Sequence, residues 1–149
     1  MPKNIVLLTL DCFRRDRLRC YGYGRGLTPN IDSIAQKGLV FQNAFSVANH
    51  TDPSHASMLT GTYPNIHGVL GQALELNSEL PTIGEVLQDQ DWKTMGAVSV
   101  EHLSSYFRFN RGFDTFYNNS PWDILFAKTR NIRFGGVRVL PYLRKNLPI

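Results

Sequence analysis

The sequence predicts an α/β fold, a mostly parallel central sheet flanked by helices, and three observations carry that reading. Ile5-Val6-Leu7-Leu8-Thr9-Leu10 is a near-continuous apolar run ending in Asp11, and continuous rather than alternating burial suits a central strand covered on both faces. Strand-like runs and capped helical segments then follow in the order β, α, β, α, α, β, the pattern of a parallel sheet with crossover helices. Finally, 149 residues with 42% hydrophobic and 19% charged content suffice for one domain with a core and argue against disorder.

Each element has its own local signal. Thr28-Pro29 followed by residues 30–38 predicts a helix, with Thr28 as N-cap, Pro29 at the first helical position and Gly38 as the stop. Leu39-Val40-Phe41 through Phe45-Ser46 is the second strand candidate. Pro53 to Leu59 predicts a short helix closed by Gly61, followed by a Tyr63-Pro64 turn. Ile83, Val86 and Leu87 fall at helical spacing with Thr82 as the cap, and Trp92 to Ser99 reads as another strand. Residues 121–149 give only short patterns, broken by Gly135-Gly136 and Pro141.

The net charge of +4 is unevenly spread. Residues 1–120 carry 10 Lys/Arg against 11 Asp/Glu, a net of −1, whereas residues 121–149 carry six basic residues against Asp123 alone, a net of +5. A basic segment raises the question of nucleic acid or an anionic membrane surface. A solvated face is the adopted reading, so nucleic acid is not the expected partner and no membrane is required. No apolar run approaches the roughly 18 to 20 residues of a membrane span. The apolar run after Asn4 is too short for a signal-peptide core, which makes a cytoplasmic location the default expectation. Cys12 and Cys20 make no disulfide framework and read as free thiols.

In open α/β sheets, reactive groups gather at the carboxyl ends of strands, and two polar clusters fall there. Asp11 directly follows the first predicted strand, with Arg14 and Asp16 in the next turn. Its carboxylate suits a hard divalent cation, which prefers oxygen donors; a helix cap is the alternative. Thr51-Asp52-Pro53-Ser54-His55 opens the second predicted helix. A hydroxyl there meets unpaired backbone N–H groups and the positive end of the dipole, which favour a tetrahedral oxyanion and a metal-bound alkoxide. The same residues would equally serve as a cap through Thr51 or Ser54.

Several motifs, in order and register, resemble one family. Residues 4–11, Arg14, Asp16, Cys20-Tyr21-Gly22 and Thr28-Pro29-Asn30-Ile31-Asp32 are similar to the opening of the sulfatases, within the wider alkaline-phosphatase-like superfamily. Phe41-Gln42-Asn43-Ala44-Phe45 resembles the strand that follows. Thr51-x-Pro53-Ser54-His55-Ala56-Ser57-x-Leu59-Thr60-Gly61 is similar to the signature Cys/Ser-x-Pro-Ser-Arg-x-x-Leu-x-Thr-Gly. Leu80-Pro81-Thr82-Ile83, Trp92-Lys93-Thr94 and Arg111-Gly112-Phe113-Asp114-Thr115-Phe116 continue the match, so the resemblance spans about residues 4–117. It implies that residues 1–117 are the N-terminal part of a sulfatase-like catalytic domain and 118–149 a basic, truncated continuation, incomplete at the C-terminus. It also implies a metal-dependent hydrolase or transferase of sulfate or phosphate esters of small molecules, lipids or glycans.

Site residues carry over by position. Asp11 matches the first of two consecutive metal-binding aspartates; the second is Cys12, and a thiol is a poor ligand for calcium or magnesium. Thr51 matches the residue that sulfatases oxidise to formylglycine. Threonine cannot yield that aldehyde, so the implied cofactor is a divalent ion (calcium, magnesium or manganese) without formylglycine. Thr51 is then both metal ligand and direct nucleophile. Threonine nucleophiles in the superfamily are associated with phosphodiesterases and phospho-headgroup transferases, which moves the substrate toward phosphate esters. His55 replaces the signature arginine and is implied to assist Thr51, while His67 in its Pro-x-x-His-Gly turn is expected to be structural. The Gly-Lys-Trp-His stretch that grips sulfate is replaced by 97–102, leaving Arg14 and His102 as the substrate-binding candidates. The downstream Asp-His or Asp-Asn ligand pair is absent from 118–149. A catalytically inactive binding or structural relative is therefore the alternative reading.

Overall fold

An apolar run becomes a strand only when a neighbouring strand completes its backbone hydrogen bonds, and this separates the expected elements that form from those that do not. The computed structural model describes residues 4–118 and, for the remainder, only the backbone of 133–134 and 137–138. Most of the basic segment thus lies outside the described residues. The chain divides into two units, Met1–Phe45 and Ser46–Ile149.

In the first unit the strands expected over 5–10 and 39–46 are not formed. Ile5, Val6, Leu7, Leu8 and Leu10 are 51% to 87% exposed. Their composition specified that a cover is needed without supplying the strand partners that would provide it. Helix α1 forms at Pro29–Lys37 with Pro29 in the first turn, and stops before Gly38 as expected. Thr28 does not cap it through its side chain. Its hydroxyl instead donates to Asp32 Oδ2 at 3.1 Å, and Asp32 Oδ1 accepts the Cys20 N–H at 2.9 Å. Tyr21 donates its hydroxyl to the Phe41 carbonyl at 2.9 Å. No residue between 4 and 45 is buried, so polar stitching rather than a core organises this unit.

The second unit holds the core: Ala56, Val69, Leu76, Leu103 and Phe109 are buried, with Leu59, Val98, Val100 and Phe107 packed against them. Helix α2 runs Thr51–Thr60, longer at both ends than expected, and Gly61 closes it in the left-handed region at φ +68°, donating to the Ser57 carbonyl. That conformation is cheap only for glycine. The Pro64 turn is a four-residue helix, α3, at Pro64–His67. Helix α4, Ile83–Gln88, starts in a full capping box: Thr82 Oγ1 accepts the Glu85 N–H, and Glu85 accepts the Thr82 N–H.

Strand β1, Met95–Ala97, pairs in parallel with β2, Thr115–Tyr117, in the register Met95 to Thr115 and Ala97 to Tyr117. The α/β class with parallel pairing is therefore the one observed, with β1 shorter than the 92–99 run. Asp114 sets the pair's start by accepting the Thr94 N–H at 2.8 Å. That bond comes first among the reasons its carboxyl sits below the usual range. Arg111 clamps the preceding turn to α4, donating to both Glu85 carboxylate oxygens and to the Asn77 and Leu80 carbonyls. The turn needs Gly112: its φ is +77°, and a Cβ there would lie 1.9 Å from the Glu85 nitrogen. The backbone of Arg133–Phe134 (β3) pairs antiparallel with Val137–Arg138 (β4).

Candidate active site

The N-terminal turn of α2 collects most of the sequence's site candidates. His50, in extended conformation, precedes the helix, and no side chain caps it. Thr51 is therefore the first helical residue rather than the cap, and Ser54 gives its hydroxyl to the His50 carbonyl. The Thr51 side chain thus belongs to the turn where the helix dipole is positive. Two residues behind it, Asp52 and Pro53, are fully buried and anchor the turn to the core. His55, one turn on, donates Nδ1–H to the main-chain carbonyl of Thr51 at 2.8 Å. In the neutral ring, this leaves Nε2 as an acceptor. One His55–Thr51 link thus runs through the main chain.

Asp52 is the residue that sequence reasoning passed over. It is 0% exposed, and its Oδ2 accepts the Ala73 N–H at 2.7 Å. Its Oδ1 lies 3.3 Å from His102 Nδ1, in a ring that is 36% exposed. The pair does not meet hydrogen-bond geometry, so both atoms stand buried without a hydrogen-bond partner. His102, in the short turn Glu101–Leu103, is thus placed against the residue that follows Thr51. The one sequence signal for Asp52 was an acidic residue in a first helical turn, which is ordinary dipole pairing.

His67 is structural, as its turn suggested. It is 1% exposed; its Nδ1 accepts the Val69 N–H at 3.1 Å, so Nε2–H faces Ser57 Oγ at 2.9 Å. Burial holds this imidazole below its ordinary value of 6.5, against a hydrogen bond with Pro53 that raises it.

In the first unit, Asp11 and Cys12 occupy an exposed turn, with Cys12 at φ +55°. Arg14, the expected substrate contact, is exposed and pairs with Asp16: Nε to Oδ1 at 2.9 Å and a terminal nitrogen to Oδ2 at 2.5 Å. The bond raises the Arg14 guanidinium and lowers the Asp16 carboxyl. Among the described residues, no group of three or more His, Cys, Asp or Glu is placed to hold a metal ion. One carboxylate (Asp11), one hydroxyl (Thr51) and a neighbouring thiol fall short of the six or more oxygens a hard divalent ion requires. The described residues thus do not by themselves fit a divalent site.

Comparison with known proteins gives one family. The sulfatase family model matches residues 3–136. N-acetylglucosamine-6-O-sulfatase of Bacteroides thetaiotaomicron is 32% identical over 111 residues, covering 74% of this chain and 19% of that protein. Human arylsulfatase A is 35% identical over 108 residues, covering 68% of this chain and 21% of its own. A solved structure of a protein in complex with its substrate D-glucosamine-2-N,6-O-disulfate superposes with a TM-score of 0.59 at 32% identity, covering 68% of this chain and 20% of that one. The chain thus spans about a fifth of the length of these relatives.

Proposed function

Since the chain belongs to the sulfatase family, we propose that it carries the nucleophile-bearing part of a hydrolase or transferase of sulfate or phosphate esters, with Thr51 as the nucleophile. The observation that supports this most is the placement of Thr51 in the first turn of α2, at the position where the family signature carries its nucleophile. In this reading Thr51 Oγ attacks sulfur or phosphorus and loses its proton. The ester C–O oxygen leaves with its bonding electrons and takes up a proton, and water later resolves the sulfo- or phospho-threonine. No formylglycine takes part, because threonine has no route to the aldehyde. Positive partial charge at the helix start lowers the energy of the oxyanion, and His55 holds the Thr51 main chain from the next turn.

A divalent cation (calcium, magnesium or manganese) remains the proposed cofactor; Asp11 belongs to the first unit and Thr51 to the second, so each is proposed as a ligand on its sequence position alone. Further donors must come from outside the described residues, and no chemical step is assigned to the ion. For substrate, the relatives named for sulfated sugars favour a glycan sulfate ester, while threonine as nucleophile favours a phosphate ester. Both are tested together by assaying 4-nitrophenyl sulfate, 4-nitrophenyl phosphate and glucosamine 6-sulfate with each metal. Replacing Thr51 with Ala is expected to lower any turnover by about 10³-fold or more. Turnover unchanged in Thr51→Ala would remove the assignment.

The alternative reading is a catalytically inactive relative; it is motivated by Cys12, His55 and residues 97–102 standing where the family resemblance carries an aspartate, an arginine and the Gly-Lys-Trp-His stretch. Calorimetric titration with the three metals separates the two. Micromolar binding that disappears in Asp11→Asn argues against inactivity, whereas no heat from any of the three supports it.

A further inference from the structure

Two buried polar atoms, Asp52 Oδ1 and His102 Nδ1, face each other at 3.3 Å with no other hydrogen-bond partner. Each costs free energy as it stands, because a buried donor or acceptor left unpaired forfeits its hydration. A small rotation of the His102 ring aligns Nδ1–H on Oδ1 and satisfies both. The carboxylate is already fixed by the Ala73 N–H at 2.7 Å on its other oxygen, so the ring is the part free to adjust. Polar groups at active sites are often misaligned before substrate binds and tighten afterwards.

We propose that Asp52 is a positioning residue that holds His102 in the Nδ1–H tautomer, leaving Nε2 as a hydrogen-bond acceptor beside the Thr51 turn. The asymmetry of the ring supports this. Nδ1 is buried, yet the side chain as a whole is 36% exposed, so the exposure lies on the rest of the side chain, on the side away from the carboxylate. Free histidine in water favours the other neutral tautomer, with the proton on Nε2, which could donate but not accept at that atom. A buried carboxylate behind the ring reverses this choice and fixes its orientation. Asp52 follows Thr51 directly, so one rigid turn carries both the proposed nucleophile and the residue that aims the imidazole. The ligand that Nε2 would meet is a hydroxyl that gives up its proton: the water, or acceptor alcohol, that resolves the ester on Thr51. Whether His102 touches that hydroxyl rests on the functional reading above; the tautomer does not.

The test has one arm for each. Long-range ¹H–¹⁵N NMR of the full 149-residue chain, at a pH where the imidazoles are neutral, reads the tautomer, with the His102 signal identified by its loss in His102→Gln. The expected result is Nδ1 protonated and Nε2 bare in the native chain. In Asp52→Asn, which keeps a carbonyl oxygen for the Ala73 N–H, the protonated nitrogen should become Nε2. An Nε2–H tautomer in the native chain, or the same tautomer in both, overturns the proposal. In the second arm, on any ester the chain hydrolyses, Asp52→Asn is expected to lower kcat by about 100-fold or more with KM changed by less than about threefold. Imidazole added to His102→Gly should restore part of the rate. A kcat untouched by Asp52→Asn, while Thr51→Ala abolishes turnover, overturns the catalytic role of the pair. The expected tautomer switch in a chain that hydrolyses no ester confirms Asp52 as the residue that sets the tautomer and locates the failure in the functional reading.

Discussion

Ala73 is a non-glycine residue at φ +56°, held there by the bond from its N–H to the buried Asp52 carboxylate. The left-handed region costs a residue with a Cβ roughly 1–2 kcal/mol, part of which a glycine would return as unfolded-state entropy. Ala73→Gly is therefore expected to stabilise the chain by about 0.5–1 kcal/mol, measured as a raised urea midpoint with an unchanged m-value. A lowered midpoint would contradict the account of Ala73 as a strained anchor. Candidate site residues were nameable only where the family resemblance pointed to them: Thr51 and His55 in the signature, Asp11 and Arg14 in the opening segment. Asp52 was not legible, because its partners lie 21 and 50 residues downstream and nothing local marks Ala73 or His102 as its neighbours. His102 was singled out for substrate contact, and the structure adds the carboxylate behind it.

Helix ends and turns rest on residues a few positions apart, and these were read well. Pro29, Gly61, Pro64 and Thr82 each do locally what their chemistry suggests. Where the reading placed Thr51 or Ser54 as a cap, the helix begins one residue after His50 instead, since residues 51–54 can all take helical backbone. Strands 5–10 and 39–46 were misread because a strand depends on non-local partners that composition does not reveal. The Arg111–Gly112 turn is the element with the sharpest requirement. Gly112→Ala adds a Cβ at φ +77° against the Glu85 backbone and should cost about 3 kcal/mol or more, strain and overpacking together. A loss below about 1 kcal/mol by urea unfolding would contradict the packing of that turn on α4.

The α2–α3 link carries a pH signature. Burial keeps His67 below its ordinary 6.5, so the unfolded chain binds the proton more readily than the folded one. Its contribution is complete above about pH 6.5 and is lost as pH falls toward the lower folded value. Glu85 adds to acid sensitivity in a lower window. Burial opposes its ionisation, yet bonds from Thr82 and Arg111 outweigh it and keep the carboxyl below the 4.5 of a free glutamate. Thermal unfolding between pH 7.5 and 5.5 is expected to show falling stability in the native chain and a flatter slope in His67→Gln. Equal slopes would show that His67 is not the group responsible.

At the scale of the whole molecule, the family and the α/β class were legible because ordered motifs and parallel-sheet patterning run through much of the chain. Where the core would lie was not. It gathers in the second unit around Ala56, Val69, Leu76, Leu103 and Phe109, while in the first unit the apolar run 5–10 is largely exposed. An exposed apolar stretch of that kind predicts binding of hydrophobic dyes and concentration-dependent association. Val6→Lys with Leu8→Lys is expected to reduce both while leaving the far-ultraviolet helix signal unchanged; loss of helix signal would show that these side chains are packed. The proposed chemistry is direct attack of Thr51 on an ester. Its most direct measurement is mass spectrometry of the chain quenched during turnover of 4-nitrophenyl sulfate or phosphate. A sulfuryl or phosphoryl group is expected on the Thr51 peptide and absent in Thr51→Ala; turnover with no such adduct, or with the group on another residue, would rule out Thr51 as the nucleophile.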